Sequence, residues 1–388
     1  MSIIIFLLIL GALVLIHEFG HYIIAKKNNV LVEEFGIGFP PRLWGKKVGE
    51  TLYSINLIPL GGFVKLHGEE YNEIKVNTES KSQKKRAFVF QKPHIKAAII
   101  TGGVIMNLVL GITIYYIILS INGFQSDAIP LIKPYQFRFG SQQGRVVVTA
   151  VQKDSPAAKA QLSPEDLIIK YQISPIMYET AWKSVNSASE LISIIKNSQG
   201  KTVFLYTESV KNGVKKTIQV IPKYNPKLKR AVIGIGLLDT AIISYKTPIQ
   251  KVFSGFFHSY NIMTYNYSTI AFLFQSAVME KNAELVTGVV SGPIGIFSVV
   301  SDIVKTSGTK LIMNILNITA LLSLSLAFMN ILPFPALDGG RFVFVLYEWV
   351  SKKPINKTVE QYANLGGFIF LILLALVVSA NDIMRFFR

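Results

Sequence analysis

The chain has no cysteine. That absence excludes disulfides, thiolate nucleophiles and cysteine metal sites together, so any metal must be held by histidine or carboxylate. Histidine is scarce as well, with five in 388 residues. Charge is the third shortage: 16% of residues are charged, against about 25% in an ordinary soluble domain, whereas 50% are apolar. The charge present leans one way, to a formal +17. Its lysines are scattered along connecting segments with no aromatic-interleaved basic face. Nucleic-acid binding is therefore disfavoured, and orientation across a membrane accounts for much of the excess.

What is present is a set of long apolar runs, at 2–25, 96–121, 311–332 and 364–380. A helix of such length crosses the hydrocarbon core of a bilayer. The first run lacks the basic start and small-residue cleavage site of a signal peptide, so it is expected to be retained. Lys26 and Lys27 follow it, and Lys352, Lys353 and Lys357 follow the third run, marking those ends as cytoplasmic. Residues 30–66 are rich in glycine and proline and include stretches such as "TLYSINLI", which predict short strands joined by tight turns. Residues 69–96 read as a polar, lysine-rich loop.

From 145 to 225 the pattern changes to that of a soluble α/β domain. "GRVVVTAV" reads as a strand, "DSPAAKAQL" as a capped short helix and "SASELISIIKNSQ" as an amphipathic helix; "KTVFLYTES" and "KKTIQVIPK" form strands around the turn "KNG". The expected division is thus 1–121 and 311–388 as two halves of a membrane core, 145–225 as an inserted domain, and 226–310 as a connecting segment. Within that segment the aromatic-rich stretch 247–279 reads either as a further crossing or as a helix on the membrane surface.

The chemistry lies in "HEFGH". His17 and His21 are four apart, on one face of a helix, and two imidazoles at that spacing can share one zinc ion. Glu18, turned about 100° from His17, flanks the metal and is placed to take a proton from water. Ionisable groups in an apolar helix are costly, which makes a functional role the expectation. A third ligand is needed. His67 and His94 lie in polar loops and His258 in the ambiguous stretch, so a carboxylate at another span's end is better placed. Asp338, in "NILPFPALDGG", fits that description. It equally fits a helix cap before "GGRFVFVLYEWV", and spacing does not separate the two. If Asp338 meets the histidines, both span ends must be cytoplasmic. That parity predicts four crossings, with 247–279 and the inserted domain outside.

Taken together, "HEFGH", "GGVIMN" and "NILPFPALDGG" resemble the site-2 proteases, M50-type intramembrane zinc metalloproteases, of the bacterial RseP/RasP type. "PLGGFVKLHGE" and "SGPIGIFSVV" extend the likeness over nearly the whole chain. The resemblance implies an α-helical polytopic membrane protein with about four transmembrane helices, a membrane-associated β region and one inserted PDZ-like α/β domain. It implies Zn2+ on His17, His21 and Asp338, with Glu18 as catalytic base. It assigns Asn330 to contact with unwound substrate, and Asn107 and Gly103 to the second-span element lining the site. Substrates would be single-pass transmembrane proteins or peptides already trimmed by another protease, such as anti-sigma factors or remnant signal peptides. The location implied is the bacterial cytoplasmic membrane, among its lipids. Three departures stand out: Gln161 and Glu165 occupy positions where the family usually has glycine, the segment "YQISPIMYETAWKSV" is longer than usual, and Val104 replaces a frequent proline.

Two other classes remain as competitors. A membrane metal oxygenase can use two histidines and a carboxylate on iron, but a di-iron site needs more histidines than this chain has. A PDZ scaffold with a vestigial metal site has no use for Glu18.

Overall fold

The computed structural model describes residues 1–69, 81–174, 182–210, 213–280, 292–353 and 355–386. Part of the lysine-rich loop, part of "YQISPIMYETAWKSV", the "KN" of the turn "KNG" and the first residue of "SGPIGIFSVV" lie outside them. In chain order the elements are α1 (Ser2–Lys27), β1 (Val32–Val48), β2 (Thr51–Leu66), α2 (Lys81–Lys85), α3 (Pro93–Ile121), β3 (Ile129–Pro130), β4 (Ser141–Val151), α4 (Pro156–Lys159), β5 (Asp166–Ile173), β6 (Lys183–Ser184) and α5 (Ala188–Lys196). Then follow β7 (Val203–Ser209), β8 (Lys215–Val220), β9 (Lys223–Asn225), β10 (Arg230–Val232), β11 (Ile235–Ser244), α6 (Pro248–Val252), α7 (Ser254–Glu280), α8 (Pro293–Thr306), α9 (Leu311–Ile331), α10 (Asp338–Ser351) and α11 (Lys357–Phe386).

Four helices among the described residues are long and apolar enough to cross a membrane: α1, α3, α9 with its preceding turn, and α11. At 1.5 Å per residue α1 spans about 39 Å, enough for a hydrocarbon core of about 30 Å. Its apolar residues surround the axis rather than forming a stripe, as a membrane helix requires. Asn29, in the left-handed region at φ 57°, turns the chain out of the helix end. α3 opens on Pro93 and runs unbroken through Val104.

Chain contacts divide the molecule into two compact units. The first comprises 1–114, 273–304 and 315–388. In it α1 is packed by Phe6, Ile9 and Leu13 against Val300 of α8 and Leu322 and Leu326 of α9. α1 and α3 meet at Gly20 and Gly102, where a Cβ on either residue would strike the other's carbonyl. α9 is tied to α3 by Ser323, whose Oγ donates to the Asn107 carbonyl at 2.7 Å.

The β1–β2 pair is more folded than short strands would be. Residues 34–37 pair with 65–62 on one side and with 52–55 on the other, and 42–48 fold back along 56–51. The ladder breaks between Phe39 and Arg42, where Pro40 and Pro41 have no N–H to give.

The second unit comprises 115–272 and 305–314. Its sheet runs β3-β11-β4-β5-β7-β8, with β6 on β5. α5, capped by the Ser187 hydroxyl on the Glu190 N–H, buries Leu191 and Ile195 against Val146, Val148, Ile168, Val203 and Leu205. β11, residues 235–244, belongs to this sheet between β3 and β4. Gln161 and Glu165 take left-handed conformations at φ 59° and 68°, so the turns glycine would favour are made without it. The stretch 247–279 is helical as α6 and α7, and neither is among the candidate spans. Tyr265, with Leu119, Phe137, Ile243 and Tyr245, forms the core beneath α7.

Candidate metal centre

α1 presents two working faces, about 100° apart because successive residues are turned by that angle. One face, at Glu18, Tyr22 and Lys26, is fastened to β2 and the turn before it. Glu18 Oε2 accepts from the Val64 N–H at 3.1 Å, the Tyr22 and Tyr53 hydroxyls lie 2.6 Å apart, and Lys26 reaches Glu50 at 3.3 Å. The other face carries His17 and His21 toward α3. There Gly103 leaves the space they occupy: a Cβ on it would come within 2.5 Å of His21 Nε2 and 2.7 Å of His17 Nε2.

Each imidazole is oriented from behind. His21 Nδ1–H donates to the Ile99 carbonyl at 2.8 Å, which leaves the Nε2 lone pair facing inward. Behind His17 lies Asn107, fully buried, with its amide 3.4 Å from Nδ1. As placed, Asn107 Oδ1 has no partner. Exchanging the two ends of the amide, which are alike in shape, lets His17 Nδ1–H donate to Oδ1 and again frees Nε2.

Asp338 arrives from the opposite side, past the end of α9. A side-chain cap would come from Leu337, which has none to offer, so Asp338 opens the first turn of α10 without capping it. Gly339 and Gly340 allow this close turn, since a Cβ on them would strike the Leu332 and Phe334 carbonyls. Asp338 Oδ2 lies 2.9 Å from His17 Nε2 and 3.4 Å from His21 Nε2, while the two Nε2 atoms are 3.2 Å apart. Asp338 Oδ2 is a buried oxygen within ion-pair distance of both imidazoles.

Three lone-pair donors converging within 3.4 Å of one another is a metal-ligand arrangement. Tetrahedral zinc with donors at about 2.0–2.1 Å sets them about 3.3 Å apart, and the observed separations straddle that value. The donor set therefore fits zinc. Among the described residues, His17, His21 and Asp338 are the one cluster of this kind.

The remaining residues singled out from sequence fall as follows. Asn330 is half-buried in the last turn of α9, eight residues before Asp338. Gly103 and Asn107 both abut the histidines. Around the site, Lys96 of α3 is nearly buried and bonds both Glu348 oxygens of α10 at 3.1 and 3.0 Å, and Arg341 meets Glu69 at 2.6 Å. The sequence reading missed the Ile99 carbonyl and the Val64 N–H. Both are backbone groups, which carry no residue-type signal.

Comparison with known proteins agrees with this chemistry. The chain matches Peptidase family M50 over residues 5–374. It is 30% identical over 385 residues to a protein of Clostridium acetobutylicum provisionally named a zinc metalloprotease, covering 99% of this chain and 97% of that one. It is 27% identical to the zinc metalloprotease RasP of Oceanobacillus iheyensis, covering 100% and 99% of the two chains. A match that spans nearly the whole membrane core and the site, with relatives of full length, leaves one conclusion: the chain belongs to the M50 or site-2 protease family, and is a zinc-dependent metalloendopeptidase of the membrane.

Proposed function

We propose that this peptidase hydrolyses bonds within or beside transmembrane segments, using His17, His21 and Asp338 as zinc ligands and Glu18 as general base. The observation that carries the assignment is the convergence of three donor atoms at zinc spacing beside a restrained carboxylate. When bound, zinc polarises the peptide carbonyl and brings the pKa of water to about 7. Glu18 takes the proton from the attacking water and returns it to the departing amine. The Val64 N–H holds its carboxylate in place for both transfers. Ile99 and Asn107 keep the imidazoles in the tautomer that leaves Nε2 free.

A transmembrane helix conceals its peptide bonds, so substrate must unwind before cleavage, and the freed groups cost several kcal/mol each in lipid unless paired. The β2 edge is well placed to pair them as a partner strand, because Val64 directs its N–H to Glu18 and so lies beside the base. Asn330, one helix turn before the Pro-rich loop, offers a further amide. This supports substrate contact there.

Residues 145–225, within the 115–272 unit, are read as the PDZ-like domain. A groove of 420 Å³, lined by Ile192 and Ile195 of α5, Arg230, and the Gly234–Leu237 stretch, is of the kind that takes a peptide or screens one by size. The lysines at 26–27 and 352–353 support an active site toward the cytoplasm, and the parity of four crossings supports an extracytoplasmic 145–225 domain. Substrates would then be single-pass proteins already shortened outside, with anti-sigma factors and remnant signal peptides as examples.

The test is cleavage of a single-pass model substrate by the purified protein in detergent or vesicles. Wild type should cleave; Glu18→Gln and chelator-treated protein should not, while Glu18→Gln keeps its zinc. Equal cleavage by all three would refute the assignment.

A further inference from the structure

The carboxylate proposed as third ligand does not sit on a helix interior. It follows a loop, Leu332–Leu337, in which Leu337 N–H donates to the Phe334 carbonyl at 3.1 Å. That makes Phe334–Leu337 a β-turn with Pro335 second and Ala336 third. Ala336 has φ 74°, the left-handed value that a type II turn demands at its third position and that glycine ordinarily supplies. The N–H of that third residue has no acceptor inside the turn. Here it donates to Asn364 Oδ1 of α11 at 3.2 Å.

Asn364 is not alone on that face. Gly367, one turn on, lies so close to the Pro335 carbonyl that a Cβ would overlap it. Phe370, a further turn along, sets its ring 5.5 Å from that of Phe334. Residues 364, 367 and 370 are at i, i+3 and i+6, one stripe of the helix. Along the apolar stretch of α11 only 6% of residues are buried, with Leu365, Phe368 and Ile369 exposed, and a second anchor, Asp382 on Gly292 and Gly295, lies toward the helix's far end. Near this end α11 thus holds the turn, whose last residue, Leu337, directly precedes Asp338.

We infer that α11 is a positioning element for the metal centre, with Asn364 and Gly367 fixing the 334–337 turn so that Asp338 Oδ2 faces the two histidines. This rests on the reading of Asp338 as a ligand. Its logic is that a left-handed alanine does not hold a type II turn by itself, so the acceptor on α11 selects the conformation. A ligand presented by a loop needs such an outer partner to stay within the few tenths of an ångström that zinc tolerates.

The experiment measures zinc affinity by chelator competition and the visible absorption of the Co(II)-substituted protein, in full-length chain purified in detergent. Asn364→Leu removes the acceptor at similar volume, and Gly367→Ala pushes on Pro335. Both should weaken zinc binding by about tenfold or more and alter the Co(II) bands, with helical circular dichroism unchanged. Asn364→Asp keeps the oxygen and should restore both readouts. Gly366→Ala changes helix propensity identically but meets nothing within 4 Å, so it should match wild type. Asp338→Ala is the reference. If it binds zinc as wild type does, the ligand reading fails first. If it loses zinc while Asn364→Leu and Gly367→Ala retain wild-type affinity and spectrum, the positioning role is overturned.

Discussion

Gly103→Ala is the sharpest single perturbation of this protein, because one methyl group meets both imidazoles. Built on the backbone, the new Cβ lies 2.5 Å from His21 Nε2 and 2.7 Å from His17 Nε2. Ordinary contact begins near 3.4 Å, so the rings must retreat by about 0.8 Å, several times the tolerance of about 0.2 Å for a zinc–ligand distance. The retreat is opposed, since His21 is held by the Ile99 carbonyl and His17 is backed by buried Asn107. Zinc affinity should fall at least about 100-fold, equivalent to about 2.7 kcal/mol, with peptidase activity lost in parallel. The fold should survive: overpacking costs about 1–3 kcal/mol, and replacing a helical glycine by alanine returns up to about 1 kcal/mol. The assay is zinc content by elemental analysis after chelator competition, beside a thermal melt. A Gly103→Ala protein that binds zinc within threefold of wild type would refute the argument that these rings are confined as described.

Other outcomes are expected away from the centre. Asp382, buried in α11, accepts from the Gly292 and Gly295 N–H groups at 2.9 and 2.8 Å and so anchors the start of α8. Asp382→Ala should cost about 1.5–3 kcal/mol for these charged hydrogen bonds, read as a lowered melting temperature; an unchanged melt would count against the anchor. Glu50 takes a bidentate bond from Arg86 at 2.7 and 2.5 Å and a second from Lys26, and these hold its carboxyl down at about 2. Because the folded value is depressed, its contribution is complete above about 4.5 and is lost as pH falls toward 2. The group is more than a third exposed, so that contribution is about 1 kcal/mol or less, and Glu50→Gln should match wild type in melting once pH nears 2. His258 is fully enclosed beside Tyr115 and Tyr245, and burial lowers its pKa to about 4. The neutral ring is favoured in the fold, so stability is intact above pH 6.5 and declines between 6.5 and 4, by about 3 kcal/mol at the limit. His258→Gln should flatten that decline in a melt followed against pH.

What could be read from the sequence was what is local in the sequence. His17, Glu18 and His21 lie within five residues, and the helix period alone assigns their faces. The membrane helices announced themselves by composition, since lipid leaves them no other backbone arrangement. Asp338 was visible only as one of two equal readings, because its meeting with the histidines depends on how α1, α3 and α9 pack. Asn107 was expected on the site's lining. The structure sets it behind His17, a distinction of helix rotation that no motif encodes. β11 was hidden within the 226–310 connecting segment, since Gly236 interrupts its alternation and its partners β3 and β4 are far off in sequence. Residues 30–66 read as strands, yet the doubled pairing of 34–37 with both halves of β2 required tertiary contacts to appear.

The seating of Gly20 against Gly102 has a consequence beyond packing. The groups that aim the two imidazoles, Ile99 and Asn107, both belong to α3, whereas the imidazoles belong to α1. Sliding one helix past the other by a single turn, about 5.4 Å, would unseat both at once. The two helices therefore act as one unit for the site, and a side chain placed between Gly20 and Gly102 should disturb both imidazoles together.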